Sequence, residues 1–439
     1  MSDPQDSDSK LGSMKESVTL PRWKTPLGNK LRTLLLAAVV LHFIVVFSVL
    51  FENPSLIWPL HNDTIHRQGP AADFFAVYHA AVNVNLGISP YENNADGITP
   101  PYYPFRYLPV VAYAAQPLLL LSPFTAWVLW TVVLEALLFL LIFTLRNRLH
   151  TPGLWAFVST LLLLSSPYFL EIHMGQFTFA TVTLFALAML LSNRLFFHAA
   201  ILLKVFPLAA APALLRSGRW KTVVEAIVIL LAVSLPYFLV NPVDFGLFVD
   251  ANFRPTGGMD AGNFGFIRLL YLLAADLHLD VALIHWDAVV ATGRLVVLAA
   301  CCALVLLSRS TQPLLGAVML LLAHFVTYMH VWEHHLSGIL VLGALLLTLP
   351  GLSKRDEKIL LGALVLCALP TPFYFFDTVK DMQVWDPSTE WPRYGVYAVV
   401  ICKVLPTLTL FLWSARSLRN AGLALPRWAS PLYFMRTRF

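Results

Sequence analysis

The sequence predicts an all-α integral membrane protein built as a polytopic helical bundle, and three observations lead there. Of 439 residues, 58% are hydrophobic and only 13% charged, too few charged groups to solvate the surface of a soluble globule of that size. Apolar runs near the ~20 residues needed to span a bilayer recur along the whole chain. The basic residues gather at the chain ends and in short connectors, where topology signals lie. A net charge of +5 without an aromatic-interleaved basic face gives no reason to expect nucleic acid as a partner.

Taken in order, residues 1–20 are polar and Ser/Asp-rich and residues 1–30 read as a disordered tail, with no cleavage site after the first apolar run. Residues 31–413 form the membrane domain, with apolar runs at 33–51, 107–121, 124–145, 153–170, 177–192, 195–215, 222–240, 264–284, 288–307, 312–329, 335–350, 359–377 and 394–413. Residues 414–439 form a basic tail. The four cysteines lie inside apolar runs, so neither a disulfide framework nor a metal site is indicated, and no cofactor motif is present.

Lys and Arg set the orientation. The N-terminal flank holds Lys10, Lys15, Arg22, Lys24 and Lys30, whereas loop 52–104 has Arg67 as its sole Lys or Arg. Both termini and the connector 351–358 are therefore expected in the cytoplasm and loop 52–104 outside. Alternation then requires that two runs not cross. The expected candidates are 264–284, broken by Asp276, His278 and Asp280, and 195–215, broken by Lys204 and Pro207. The bundle is expected to have about ten full crossings plus re-entrant or juxtamembrane helices.

The outer loop carries the first candidate site. Residues Ala72 to Ala81 place Phe74, Val77, Tyr78 and Ala81 on one helical face, which predicts an amphipathic interfacial helix. Asp73 falls at its start, where a carboxylate can serve as an N-terminal cap. Lys204 sits within an apolar run, where a charge costs several kcal/mol unless paired or hydrated. His330-Val331-Trp332-Glu333-His334-His335 contains the spacing of an inverted zinc-peptidase motif, but its setting between two spans suits hydrogen bonding to a sugar or phosphate better.

Several motifs occur in one order. They are Asp73, Tyr78, Gly87 to Pro90-Tyr91, Tyr107-Leu108-Pro109, Gly175-Gln176, Lys204-Val205-Phe206-Pro207, Gly262-Asn263 and Trp332-Glu333-His334-His335. The set resembles the GT-C membrane glycosyltransferases, and more narrowly glycosyltransferase family 87, the polyprenyl-phosphate-mannose-dependent α-1,2-mannosyltransferases. It departs from that pattern at Leu108, at Thr178 and at Phe264-Gly265. The resemblance implies a bundle of the GT-C type that moves a hexose, mannose by family, from a polyprenyl-phosphate sugar donor to a lipid or glycan acceptor. It implies the outer-loop Asp73 as general base. Donor phosphate or sugar contacts are expected from Lys204, His334, His335, Arg254, Gln176, Tyr78, Tyr107 and Asn263, with Arg106 as a secondary phosphate candidate. No metal or cofactor is expected. A bacterial cell membrane is the expected location. The competing reading, a lipid or solute transporter or flippase, should show two related halves with interrupted segments in corresponding positions, and none is found.

Overall fold

The computed structural model describes residues 26–51, 69–253, 263–279, 286–310, 312–371 and 393–423. Every regular element among them is a helix. In chain order these are α1 (Pro26–Leu50), α2 (Ala72–Asn85), α3 (Pro109–Ala115), α4 (Pro123–Arg146), α5 (Pro152–Leu163), α6 (Ser166–Met174), α7 (Thr178–Leu191), α8 (Arg194–Leu203) and α9 (Ala211–Arg216). Then follow α10 (Trp220–Val240), α11 (Pro242–Phe253), α12 (Phe266–Asp276), α13 (Trp286–Leu307), α14 (Pro313–Thr327), α15 (His335–Leu346), α16 (Lys354–Ala368) and α17 (Arg393–Asn420). Short 3-10 turns at Gln116–Leu120 and Phe206–Ala210 extend α3 and precede α9.

Five segments are long and apolar enough to cross a bilayer: Asn29–Leu50, Pro123–Arg146, Pro152–Met174, Trp220–Val240 and Ala288–Leu307. They make the chain an integral membrane protein. Much of their surface is apolar and uncovered, with Leu36, Phe47, Phe143 and Leu295 all more than half exposed, as lipid contact requires.

The other apolar runs form shorter helices, and their lengths determine where the polar residues fall. Helices α7, α8, α14 and α15 hold 14, 10, 15 and 12 residues. At 1.5 Å per residue they rise only about 15–22 Å, short of the ~30 Å hydrocarbon core. All four start or finish at one basic end of the bundle. There the Arg216 guanidinium donates to Ser308 O at 2.8 Å, Arg309 N–H to Gly422 O at 2.8 Å, and Arg148 to Leu190 O. At the same end His150 meets Glu357 at 3.0 Å, and Trp413 Nε1 donates to Asp356 at 2.9 Å. The pairs α8–α9 and α14–α15 therefore leave the basic end, turn partway through, and come back. Residues 195–215 are broken at Lys204, where α8 gives way to the 3-10 turn that carries Pro207.

Helix signals explain the local breaks. Ser122, Thr151, Asn193 and Ser353 accept backbone N–H bonds at the starts of α4, α5, α8 and α16. Gly175 ends α6 in the left-handed region at φ 65°. A Cβ there would lie 2.4 Å from Phe74 Cβ, so only glycine lets the turn meet α2.

Helix α2 departs from the expectation of an amphipathic interfacial helix. Nearly all its residues are buried, including both the predicted apolar face and His79 and Asn83 opposite it. The reason is that residues 88–107 fold back over it. Tyr103 N–H donates to Ala72 O at 3.1 Å, and the Tyr102 ring stacks on His79 with centroids 4.1 Å apart.

Candidate active site

The tips of the short helices converge on the N-terminus of α2. Ala71, just before that helix, has φ 57°, a left-handed conformation costing about 1–2 kcal/mol for a residue with a Cβ. Its N–H donates to His173 O at 2.6 Å, which holds the strained residue against the end of α6. Asp73 is thereby the second residue of the helix and Ala71 occupies the N-cap position, so Asp73 is not the N-cap residue. The carboxylate still benefits from the helix N-terminus.

Asp73 remains partly exposed in a crowded cleft. Burial pushes its carboxyl up to about 6, against a hydrogen bond from Gln176 and the positive charges of Lys204 and Arg106. Gln176 is a bridge. Its amide meets Asp73, and its Oε1 accepts from Lys204 Nζ at 3.1 Å. Lys204 Nζ also donates to Thr178 Oγ1 at 2.8 Å and lies 5.8 Å from the Tyr107 ring centroid. These two hydrogen bonds use two of the three ammonium protons.

Helix α8 ends at Lys204, whose extended backbone (φ −145°, ψ 132°) swings the chain away before the turn at Phe206. The next layer is aromatic. Phe206 stacks on His324 at 5.2 Å, and His324 stacks on Tyr328 at 5.2 Å. Tyr328 and His335 rings lie 5.9 Å apart, and His334 and His335 rings 4.3 Å apart. His335 Nδ1 accepts from Trp332 N–H at 3.0 Å, which leaves Nε2 as the N–H donor of the neutral ring. His335 is half-buried, whereas His334 is 5% exposed and its Nε2 has no hydrogen-bond partner among the described residues.

The structure thus brings Asp73, Gln176, Lys204, Tyr107 and the His334-His335 pair to one place, with exposed Arg106 close enough for its charge to act on both Asp73 and Lys204. It sends other expected residues elsewhere. Tyr78 OH donates to Leu121 O at 2.9 Å, pinning α2 to the Gln116–Leu120 turn. Asn263 braces backbone: Oδ1 accepts from Val331 N–H at 3.0 Å and Gly265 N–H at 2.9 Å, while Nδ2 donates to Met329 O at 2.6 Å. Arg254 lies outside the described residues. Glu333 turns away from the cleft to Lys403 at 3.3 Å, and His330 stacks on Trp332, so the residues with the zinc-peptidase spacing diverge.

Several site residues were not singled out from the sequence. Glu171, fully buried, accepts Phe179 N–H at 2.6 Å and Ser337 Oγ–H at 3.1 Å, tying the Gly175 turn to the start of α15. Its signal was available: a carboxylate within an apolar run is functional or paired by default. Thr178 and His324 gave no such signal, because Thr and His are common inside helices.

Broken helices thus meet at a carboxylate, a lysine and a histidine pair beside the buried helix α2. The sequence profile of glycosyltransferase family 87 matches residues 105–332, more than half of the chain, and the protein belongs to that family. It is a glycosyltransferase, acting on a sugar donor and an acceptor. No curated protein matches the chain.

Proposed function

We propose that the protein is an inverting hexosyltransferase, mannose being the expected sugar, that uses a polyprenyl-phosphate donor at the outer face of a bacterial cell membrane. The observation that carries this reading is the Asp73–Gln176–Lys204 chain. One carboxamide links a carboxylate with a raised pKa to a cation that has a proton to spare. In the proposed reaction the acceptor hydroxyl attacks the anomeric carbon and gives its proton to Asp73. The bond from that carbon to the phosphate oxygen breaks, and the polyprenyl phosphate leaves as an anion. Lys204 stabilises that anion through a charge-assisted hydrogen bond, and His335 Nε2–H is the second donor proposed. Arg106 at the mouth adds positive potential. The acceptor is a lipid or glycan, and the termini face the cytoplasm, in keeping with the basic end of the bundle.

The test is transfer by purified protein from labelled polyprenyl-phosphate hexoses to candidate acceptors. Labelled product with an inverted anomeric centre is expected, and transfer from a nucleotide sugar instead would refute the donor. Cysteine at exposed Asn93 should label in intact cells, and cysteine at exposed Lys354 only after permeabilisation. The opposite pattern would put the site on the wrong face.

A further inference from the structure

Arg294 lies in α13, one of the five helices long enough to span the membrane. It is 13 residues before Leu307 at the basic end, about 20 Å along the axis, which is the level reached by the tips of α7 and α14. Its helix is an outer one: Val289, Leu295 and Val296 are 47%, 69% and 61% exposed and face lipid. An arginine at such depth costs about 2.5–3.5 kcal/mol on insertion scales, so its presence asks for a partner. Among the described residues that partner is no carboxylate. The guanidinium instead sits over the Tyr328 ring, 5.8 Å from its centroid, and its charge reaches His324.

Tyr328 and His324 are the outer part of the aromatic layer that continues through His335 to the surroundings of Lys204, whose charge also reaches both histidines. One cation thus stands at the bilayer side of this layer and another at its inner side, with rings able to hydrogen-bond between them. An amphiphile whose head group is an anionic phosphate and whose tail stays in lipid fits that arrangement. The phosphate would move from Arg294 to Lys204 while the tail never leaves the apolar phase.

We propose that Arg294 is the receiving cation for the lipid-linked phosphate, on the membrane side of the cleft, and that the donor passes Tyr328 and His324 on its way to Lys204. This rests on the donor class proposed above. A simple snorkelling arginine, which keeps its head group hydrated and touches no substrate, is the competing explanation.

The experiment uses the full-length protein in detergent and two hexose donors, one on a long polyprenyl chain and one shortened to a few isoprene units. Arg294→Ala should raise KM for the long donor by about tenfold or more, equivalent to ~1.4 kcal/mol of lost binding, with kcat within about twofold of wild type. The KM change should be several-fold smaller for the short donor, which can arrive from water. Arg294→Lys should recover part of the loss. Sugar-free long-chain polyprenyl phosphate should compete less well in Arg294→Ala than in wild type, a binding readout that does not depend on turnover. An unchanged KM, a loss confined to kcat, or equal losses for both donors would overturn the proposal. If Arg294→Ala proves unstable by thermal unfolding, Arg294→Gln replaces it with the same criteria. Wild-type protein that neither binds polyprenyl phosphate nor transfers from it would defeat the donor assignment itself and this inference with it, an outcome read without any variant.

Discussion

Two carboxylates of the segment between α1 and α3, Asp73 and Asp96, sit in opposite environments. Asp73 is pushed up to about 6 by burial that one amide and two cations only partly offset. Burial also acts against the Asp96 carboxylate, but hydrogen bonds from Thr99 and Ile98 and the His79 ring outweigh it and hold it down to about 2. Asp96 Oδ1 accepts Ile98 N–H at 2.8 Å and Thr99 N–H at 2.7 Å, Oδ2 accepts the Thr99 hydroxyl, and His79 Nδ1 lies 2.9 Å away. A carboxylate whose lone pairs are taken cannot accept a substrate proton. One with a raised pKa and an open side can. Under the proposed function that difference assigns the chemistry to Asp73 and the architecture to Asp96, where the residue type alone does not.

Asp73→Asn breaks the comparison most severely. The amide keeps the size but has no proton affinity, so transfer should fall by about 10²–10⁴-fold with the protein still folded and still binding donor. Measured turnover near wild type would return Asp73 to a structural role. Lys204→Ala should mainly weaken donor use, raising KM by about 10–100-fold, and Lys204→Arg should keep part of it, because the position supplies charge. Unchanged donor kinetics in Lys204→Ala would remove it from the site.

The pH profile sharpens the same contrast. A base with its pKa raised to about 6 is ionised and active above that pH, and protonated below it. The rate should therefore be flat at neutral pH and fall about tenfold per unit as pH drops below 6. A profile flat down to pH 4 would mean that the working base is a carboxylate with a lower pKa. Gly175→Ala should have a smaller effect, since the new Cβ must push Phe74 away and shift Asp73 with it. About 1–3 kcal/mol of stability should be lost, with kcat reduced and donor KM little changed. Wild-type values for both would show that the turn can relax freely.

These contrasts also show what the sequence discloses. Lys204 was legible because a charge in an apolar run is costly wherever it lies, and Asp73 because ordered motifs matched a family. The broken runs were legible too, since Lys204 and Pro207 interrupt 195–215 visibly. What stayed hidden depends on distant contacts. Asn263 resembles a ligand in sequence, yet its carboxamide is committed to Val331, Gly265 and Met329, residues from loops the sequence cannot show meeting. His334 and His335 are identical neighbours in the chain, and a bond from Trp332 N–H to His335 Nδ1 distinguishes them. Helix α2 reads as amphipathic because the cover supplied by residues 88–107 comes from outside its own periodicity.

Asp96→Asn is the mildest test and isolates the structural half of the comparison. The Asp96 side chain is 4% exposed and its pKa is depressed, so its ionised form stabilises the fold at pH above the unfolded value near 4. That stability is lost as pH falls from about 4 toward 2. Asparagine keeps one carbonyl oxygen for Ile98 or Thr99 but cannot satisfy all the donors that Asp96 does, and it removes the charge facing His79. The unfolding temperature at pH 7 should fall by a few degrees at most, and the wild-type protein should converge on the variant as pH is lowered through that window. Turnover per folded molecule should stay within about twofold, since no group that touches the reacting atoms has changed. A large loss of turnover with unaltered thermal stability would reverse the assignment and make Asp96, rather than Asp73, the carboxylate that meets the acceptor.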